Sequence, residues 1–118
     1  MGFTRIDVDV ANPRDPARHA VVQFLVDTGA LLTVIPRPVL AQLGIQPQGE
    51  RLFKGFGGIV RRQIGGAQFL YQGDFAAASV IFGDAGDTSV LGVTALEALG
   101  YEVDPVNERI VRVESLML

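Results

Sequence analysis

Asp27-Thr28-Gly29-Ala30 sets a carboxylate between two apolar runs, Val21-Val22-Gln23-Phe24-Leu25-Val26 before it and Leu31-Leu32-Thr33-Val34-Ile35 after it. Such flanks lead us to expect Asp27 to be at least partly desolvated, and a buried carboxylate is costly unless it is hydrogen-bonded, paired or held protonated. A carboxyl group in that setting can be poised to take up or release a proton, which makes Asp27 a candidate for chemistry. The same tripeptide is also ordinary turn vocabulary, in which Asp bonds its own backbone and Gly supplies positive φ. The flanks favour the chemical role, because a surface hairpin turn seldom continues into Phe-Leu-Val on one side and Ala-Leu-Leu on the other.

Other side chains offer less. The chain has no cysteine and a single histidine, so a disulfide framework, a thiol nucleophile and a Cys/His zinc site are excluded. His19 has no serine motif to serve and reads as a strand or surface residue. Asp84 and Asp87 bracket Ala85-Gly86 without the ligand ladder and closing glutamate of a calcium loop, so a solvated turn is expected and no metal site. Gly55-Phe56-Gly57-Gly58 lies between two extended arms within Leu52 to Gln68, the pattern of a hairpin with a permissive tip. No Lys-Ser or Lys-Thr follows those glycines, so they do not form a phosphate-cradling loop.

The elements that must position these residues are mostly strands. A chain of 118 residues with nearly half its residues apolar can bury one core, and a single domain over 1–118 is expected. Phe3 to Val10 alternates apolar and polar, Asn12-Pro13-Arg14-Asp15-Pro16 turns the chain, and Ala20 to Val26 is a buried strand leading into Asp27. Pro36-Arg37-Pro38 opens a short helix over Val39 to Leu43, stopped by Gly44. Phe69 to Phe82 gives two strands broken near Gln72-Gly73-Asp74. Thr94 and Glu97 stand as a capping box before a second short helix that ends at Gly100, and Tyr101 to Asp104 with Arg109 to Val113 reads as a hairpin. The net charge of −3 and the lack of a Lys/Arg run make nucleic acid an unexpected partner. No apolar stretch approaches a membrane span or a signal peptide, so a soluble, cytoplasmic protein is expected.

Three segments in order, a buried strand into Asp27-Thr28-Gly29-Ala30 with Thr33, a hairpin tipped by Gly55-Phe56-Gly57-Gly58, and Val90-Leu91-Gly92 before a helix, together resemble the retropepsin-like aspartic proteases. This is the family of the single-domain viral enzymes and their bacterial relatives, and the resemblance spans roughly residues 21–104. It implies an all-β closed barrel with one short C-terminal helix, assembled as a two-fold symmetric homodimer. It also implies an endopeptidase without a cofactor, in which Asp27, Thr28 and Gly29 are catalytic and Ala30, Leu31, Leu32, Gly55, Phe56, Gly57, Gly58 and Val90 bind a peptide or protein substrate. Such chemistry needs two carboxylates sharing one proton, and the chain has one Asp-Thr-Gly, so the second must come from another copy. By the same resemblance, Thr28 braces the two turns across the axis and Gly29 lets its amide reach the carboxylate. Leu31 and Leu32 stand where viral members carry acids, so more apolar subsites are expected beside the turn. Dimer contacts are expected from the N-terminal strand and the Leu116-Met117-Leu118 tail. The alternatives are a catalytically silent peptide-binding or scaffolding dimer of the same fold, and a monomeric β-domain in which Asp27 is a turn residue.

Overall fold

The computed structural model describes residues 4–114, which form nine strands and two short helices. Strand β1 (Arg5–Asn12) alternates as its sequence dictates, with Ile6, Val8 and Val10 buried and Arg5 and Asp7 in solvent. It pairs antiparallel with β2 (Asp15–Val26), so β2 is longer than the expected Ala20 to Val26 because pairing to β1 carries it back to Asp15. The buried Asn12 holds the connecting turn, accepting a bond from Arg14 N and donating Nδ2–H to Leu43 O, both at 2.9 Å.

The remaining strands are β3 (Thr33–Pro36), β4 (Gly49–Gly55), β5 (Gly58–Tyr71), β6 (Asp74–Gly83) and β7 (Val90–Leu91), followed by a separate hairpin of β8 (Tyr101–Asp104) and β9 (Arg109–Arg112). In the main sheet the order is β1-β2-β7-β3-β6-β5-β4, and β5 pairs again with β1 through Asp9 with Leu70, Val10 with Phe69 and Ala11 with Gln68. That second pairing closes the sheet on itself, which removes the free edges of an open sheet. The all-β closed barrel implied by the resemblance is therefore the fold this chain adopts. Within the main sheet only β4 lies outside the closed ring, as the outer arm of the β4–β5 hairpin.

The barrel interior is filled by Val8, Val10, Phe24, Ile35, Phe69, Val80 and Leu91, all essentially without solvent contact. Each such side chain contributes about 1.5–3 kcal/mol of burial. At the β5–β6 turn, Gln72 and Gly73 both have positive φ, the geometry of a two-residue turn that matches strand twist.

Helix α1 (Arg37–Gln42) starts two residues earlier than the sequence suggests, with Pro38 in its first turn, and Gly44 follows it at φ 71° as the expected terminator. Helix α2 (Val93–Leu99) ends at Gly100 in the left-handed conformation, again as expected. Its start corrects the expected capping box. Gly92 is the N-cap, Thr94 lies inside the helix and exposed, and no side chain caps it. The first-turn amides have other acceptors: Val93 N donates to Ala30 O at 2.8 Å and Thr94 N to Leu31 O at 3.1 Å. A helix end whose orphan donors are met by backbone elsewhere in the fold has no need of a side-chain cap.

The β8–β9 hairpin is clasped to the β5–β6 turn. Buried Tyr101 donates its hydroxyl to Asp74 Oδ2 at 2.6 Å, and Arg112 Nη1 donates to Asp74 Oδ1 at 3.0 Å. The Arg112 guanidinium lies 5.5 Å over the Tyr101 ring, which in turn meets Tyr71 edge-on at 5.3 Å. The hydrogen bond to Asp74 and then burial raise the Tyr101 hydroxyl pKa. Phe3 and the Leu116-Met117-Leu118 tail, named above as strand and interface candidates, lie outside the described residues.

Candidate active site

Strand β2 buries Val22, Phe24 and Val26 on one face, so the next residue emerges on the other. That residue is Asp27, and in the single chain it is exposed, as are Thr28 and Gly29. The expected desolvation of Asp27 within its own chain is thereby corrected: the apolar flanks fill the barrel while the alternation of the strand turns the carboxylate outward. Its position is nonetheless fixed. Asp27 N donates to Leu91 O at 3.1 Å, Ala30 N donates back to Asp27 O at 3.1 Å, and Gly29 N donates to Asp27 Oδ1 at 2.9 Å. A methyl group on Gly29 would stand 3.1 Å from that same carboxylate oxygen.

Beneath the turn, β7 runs parallel to β2, pairing Leu25 with Val90 and Val26 with Leu91, and Val90 also opposes Val34 of β3. The buried Thr33 hydroxyl accepts from Gly92 N at 3.0 Å. A Cβ at Gly92 would lie 2.5 Å from the Leu32 carbonyl carbon, so only glycine fits there. Together with the bonds from Val93 N and Thr94 N, this ties the start of α2 to the backbone of Ala30 and Leu31 and the side chain of Thr33. In the sequence Thr33 stands out only as part of the motif. Its role depends on a partner 59 residues away, which no local pattern shows.

Beside the turn lies a groove of about 350 Å³, lined by Ala30, Leu31, Leu32, Val34 and Ile81 on the barrel side and by Phe53, Val60 and Arg62 of the β4–β5 hairpin. Gly83 and Asp87 complete it. Leu31 is 64% exposed while Leu32 is buried, so Leu31 presents an apolar surface to the groove mouth. Of the residues expected to bind substrate, Ala30, Leu31 and Leu32 are brought together here, and Val90 supports the turn from behind. The hairpin tip is not part of this wall. Phe56 is fully exposed, and Gly55, Gly57 and Gly58 have open space where a side chain would be. Phe53 and Val60 were read only as hairpin arms, yet the two-residue loop Phe56-Gly57 fixes them opposite one another, and counting back from the tip would have found the pair.

Elsewhere, His19 is an exposed β2 residue whose Nδ1 lies 2.9 Å from Asp9 Oδ1. Asp87 Oδ2 accepts from Asp84 N at 2.8 Å, the geometry of a self-bonded turn. Among the described residues no group of three or more His, Asp or Glu is placed to hold a metal ion, and no helix is long and apolar enough to cross a membrane.

Residues 18–98 match the family model described as "gag-polyprotein putative aspartyl protease", well over half of the chain. The chain belongs to this family of retropepsin-like aspartic proteases. Its match spans the Asp27 turn, the β4–β5 hairpin and nearly all of α2. Solved structures agree on the fold. The protease of EIAV, in a complex with the inhibitor HBY-793, superposes with a TM-score of 0.68 at 18% identity, covering 87% of this chain and 93% of that one. The simian foamy virus protease gives 0.58 at 18% identity, covering 80% and 92%. A foamy viral protease-reverse transcriptase in complex with an RNA/DNA hybrid gives 0.58 at 20% identity over 80% of this chain, but only 12% of that one. No curated protein matches the sequence.

Proposed function

We propose that the protein is an aspartic endopeptidase, active as a homodimer in which the Asp27 turns of two copies face each other. The observation that carries this is the Asp27 turn itself: a carboxylate exposed on the single chain, fixed by Gly29 N, and set beside an apolar groove of peptide-binding size. A surface turn needs no such bracing from α2, and one carboxylate cannot serve as base and acid together. In the dimer the two Asp27 side chains share one proton. The ionised one takes a proton from water as its oxygen attacks the peptide carbonyl, while the protonated one donates to the carbonyl oxygen as negative charge develops there. The proton then passes to the leaving amine as the C–N bond breaks. Thr28 and Gly29 hold the turns in register, and the β4–β5 hairpin acts as a flap over a peptide lying along Ala30, Leu31 and Leu32, with its Gly55-Phe56-Gly57-Gly58 tip closing and excluding water.

The test is hydrolysis of an unfolded protein such as reduced, alkylated casein, followed by mass spectrometry of the new termini. Cleavage by the wild-type chain and none by Asp27→Asn is expected; cleavage by both would assign the activity elsewhere, and cleavage by neither would favour the silent peptide-binding dimer.

A further inference from the structure

The flap hairpin carries an arrangement of charge that its own fold does not use. In the β4–β5 register, Phe53 opposes Val60 and Arg51 opposes Arg62. These four residues share one face, because 51 and 53, and 60 and 62, are two apart along their strands. That is the groove face, since Phe53, Val60 and Arg62 all line the 350 Å³ cavity with Leu31, Leu32, Val34 and Ile81. Like charges directly opposite one another destabilise a strand pair. Among the described residues no acid forms an ion pair with either arginine, and Arg62 donates only to the carbonyl of Arg61 at 3.1 Å. Glu50, the acid of this hairpin, is on the opposite face and pairs with Arg61 at 3.5 Å. Asp87 also lines the cavity, where its Oδ2 accepts from the amide of Asp84, and among the described residues it forms no ion pair with either arginine. The groove thus offers an apolar section under Phe53 and Val60, then a cationic one at Arg62, one two-residue strand repeat further out, with Arg51 opposite Arg62 in the register just beyond the residues that line the cavity.

An extended peptide has the same repeat. Its side chains i and i+2 point to one face about 6.6–6.8 Å apart, so an apolar side chain seated under Phe53 and Val60 puts the next same-face side chain under Arg62 and Arg51. We propose that Arg62, with Arg51 across from it, selects substrates with an acidic residue two positions outward from the apolar residue that fills the groove. The acid would relieve the repulsion between the two guanidinium groups as well as gaining a charge-assisted bond. This rests on the groove being a peptide site, as proposed above.

The test uses peptides with a central Leu-Phe-Leu-Phe block flanked on both sides by Glu, Gln or Lys. For the wild type, kcat/KM for the Glu peptide is expected to exceed that for the Gln peptide about fivefold, the Lys peptide being poorest, with the ratio falling toward one in high salt. Changing Arg51→Gln and Arg62→Gln together should bring the Glu/Gln ratio to one, while Arg62→Lys alone keeps it above one; as a ratio within each variant, it is insensitive to a general loss of flap function. Binding of the same peptides to Asp27→Asn reads the selectivity without turnover. Glu-selective binding with no hydrolysis by the wild type would sink the protease assignment alone. Hydrolysis with equal rates for Glu and Gln, or a preference that survives the double variant, would overturn the role of these arginines alone, and peptides neither bound nor cleaved would overturn both.

Discussion

At the scale of the residue, the site depends on a few atoms with very different tolerances. Asp27→Asn keeps the shape of the side chain, still accepts the Gly29 amide through its carbonyl oxygen, and removes the proton chemistry. It is expected to lower kcat/KM by at least about a hundredfold with an unchanged circular dichroism spectrum. Gly92→Ala is expected to act on structure: its Cβ would collide with the Leu32 carbonyl, and overpacking of this kind costs about 1–3 kcal/mol in urea unfolding. Gly57→Ala, at a position with nothing within 4 Å of the added carbon, is the control and should shift stability by less than about 0.5 kcal/mol. Ala30 carries no hydroxyl that could donate to the proposed Asp27 pair. Ala30→Ser would supply one, and the acid limb of the bell-shaped kcat/KM profile should move to lower pH; a profile that stays put would show that position 30 does not set the working range. The Asp-Thr-Gly turn was legible because its chemistry demands particular residues side by side. Thr33 and Gly92 were not legible as partners, because they meet only through the closed barrel.

At the scale of the element, strands with one wet and one dry face announced themselves, and β1 and the β8–β9 hairpin fall where alternation and turn residues put them. The start of α2 did not, because Thr94 and Glu97 imitate a cap whose work is done by the carbonyls of Ala30 and Leu31. The β4–β5 hairpin extends beyond the closed ring with an unpacked tip, so its amides from about Phe53 to Ile64 should exchange faster than those of β1 and β6, and should slow when a peptide inhibitor is bound. Equal protection in tip and barrel would argue against a moving flap. The Tyr101 clasp gives a pH dependence of its own. Its hydroxyl pKa is raised, so the stabilisation is complete below the ordinary tyrosine value and is lost as pH rises through the folded-state value. As pH rises above the ordinary tyrosine value of about 10, the wild-type Tm should therefore fall more steeply than that of Tyr101→Phe.

At the scale of the whole molecule, the composition indicated one core and the described residues hold one core cluster, but the partner copy that the proposed site requires leaves no mark in composition or periodicity. The dimer was inferred from the arithmetic of carboxylates. It is expected to sediment at twice the chain mass of 12.6 kDa at concentrations where peptide is cleaved; a monomer under those conditions would refute the shared-dyad mechanism. Activity should then fall faster than linearly on dilution, since half a site does no chemistry.

The tie between the Asp27 turn and α2 also sets an order of events during synthesis. The turn is complete only when Gly92, Val93 and Thr94 reach the carbonyls of Ala30 and Leu31 and the hydroxyl of Thr33. A ribosome adding about 5–20 residues per second needs roughly 3–12 s to travel the intervening stretch. Throughout that interval the nascent chain already displays Asp27 but lacks the frame that aims it. Under the proposed function, the frame that aims Asp27 is therefore absent until nearly all of the barrel has been made.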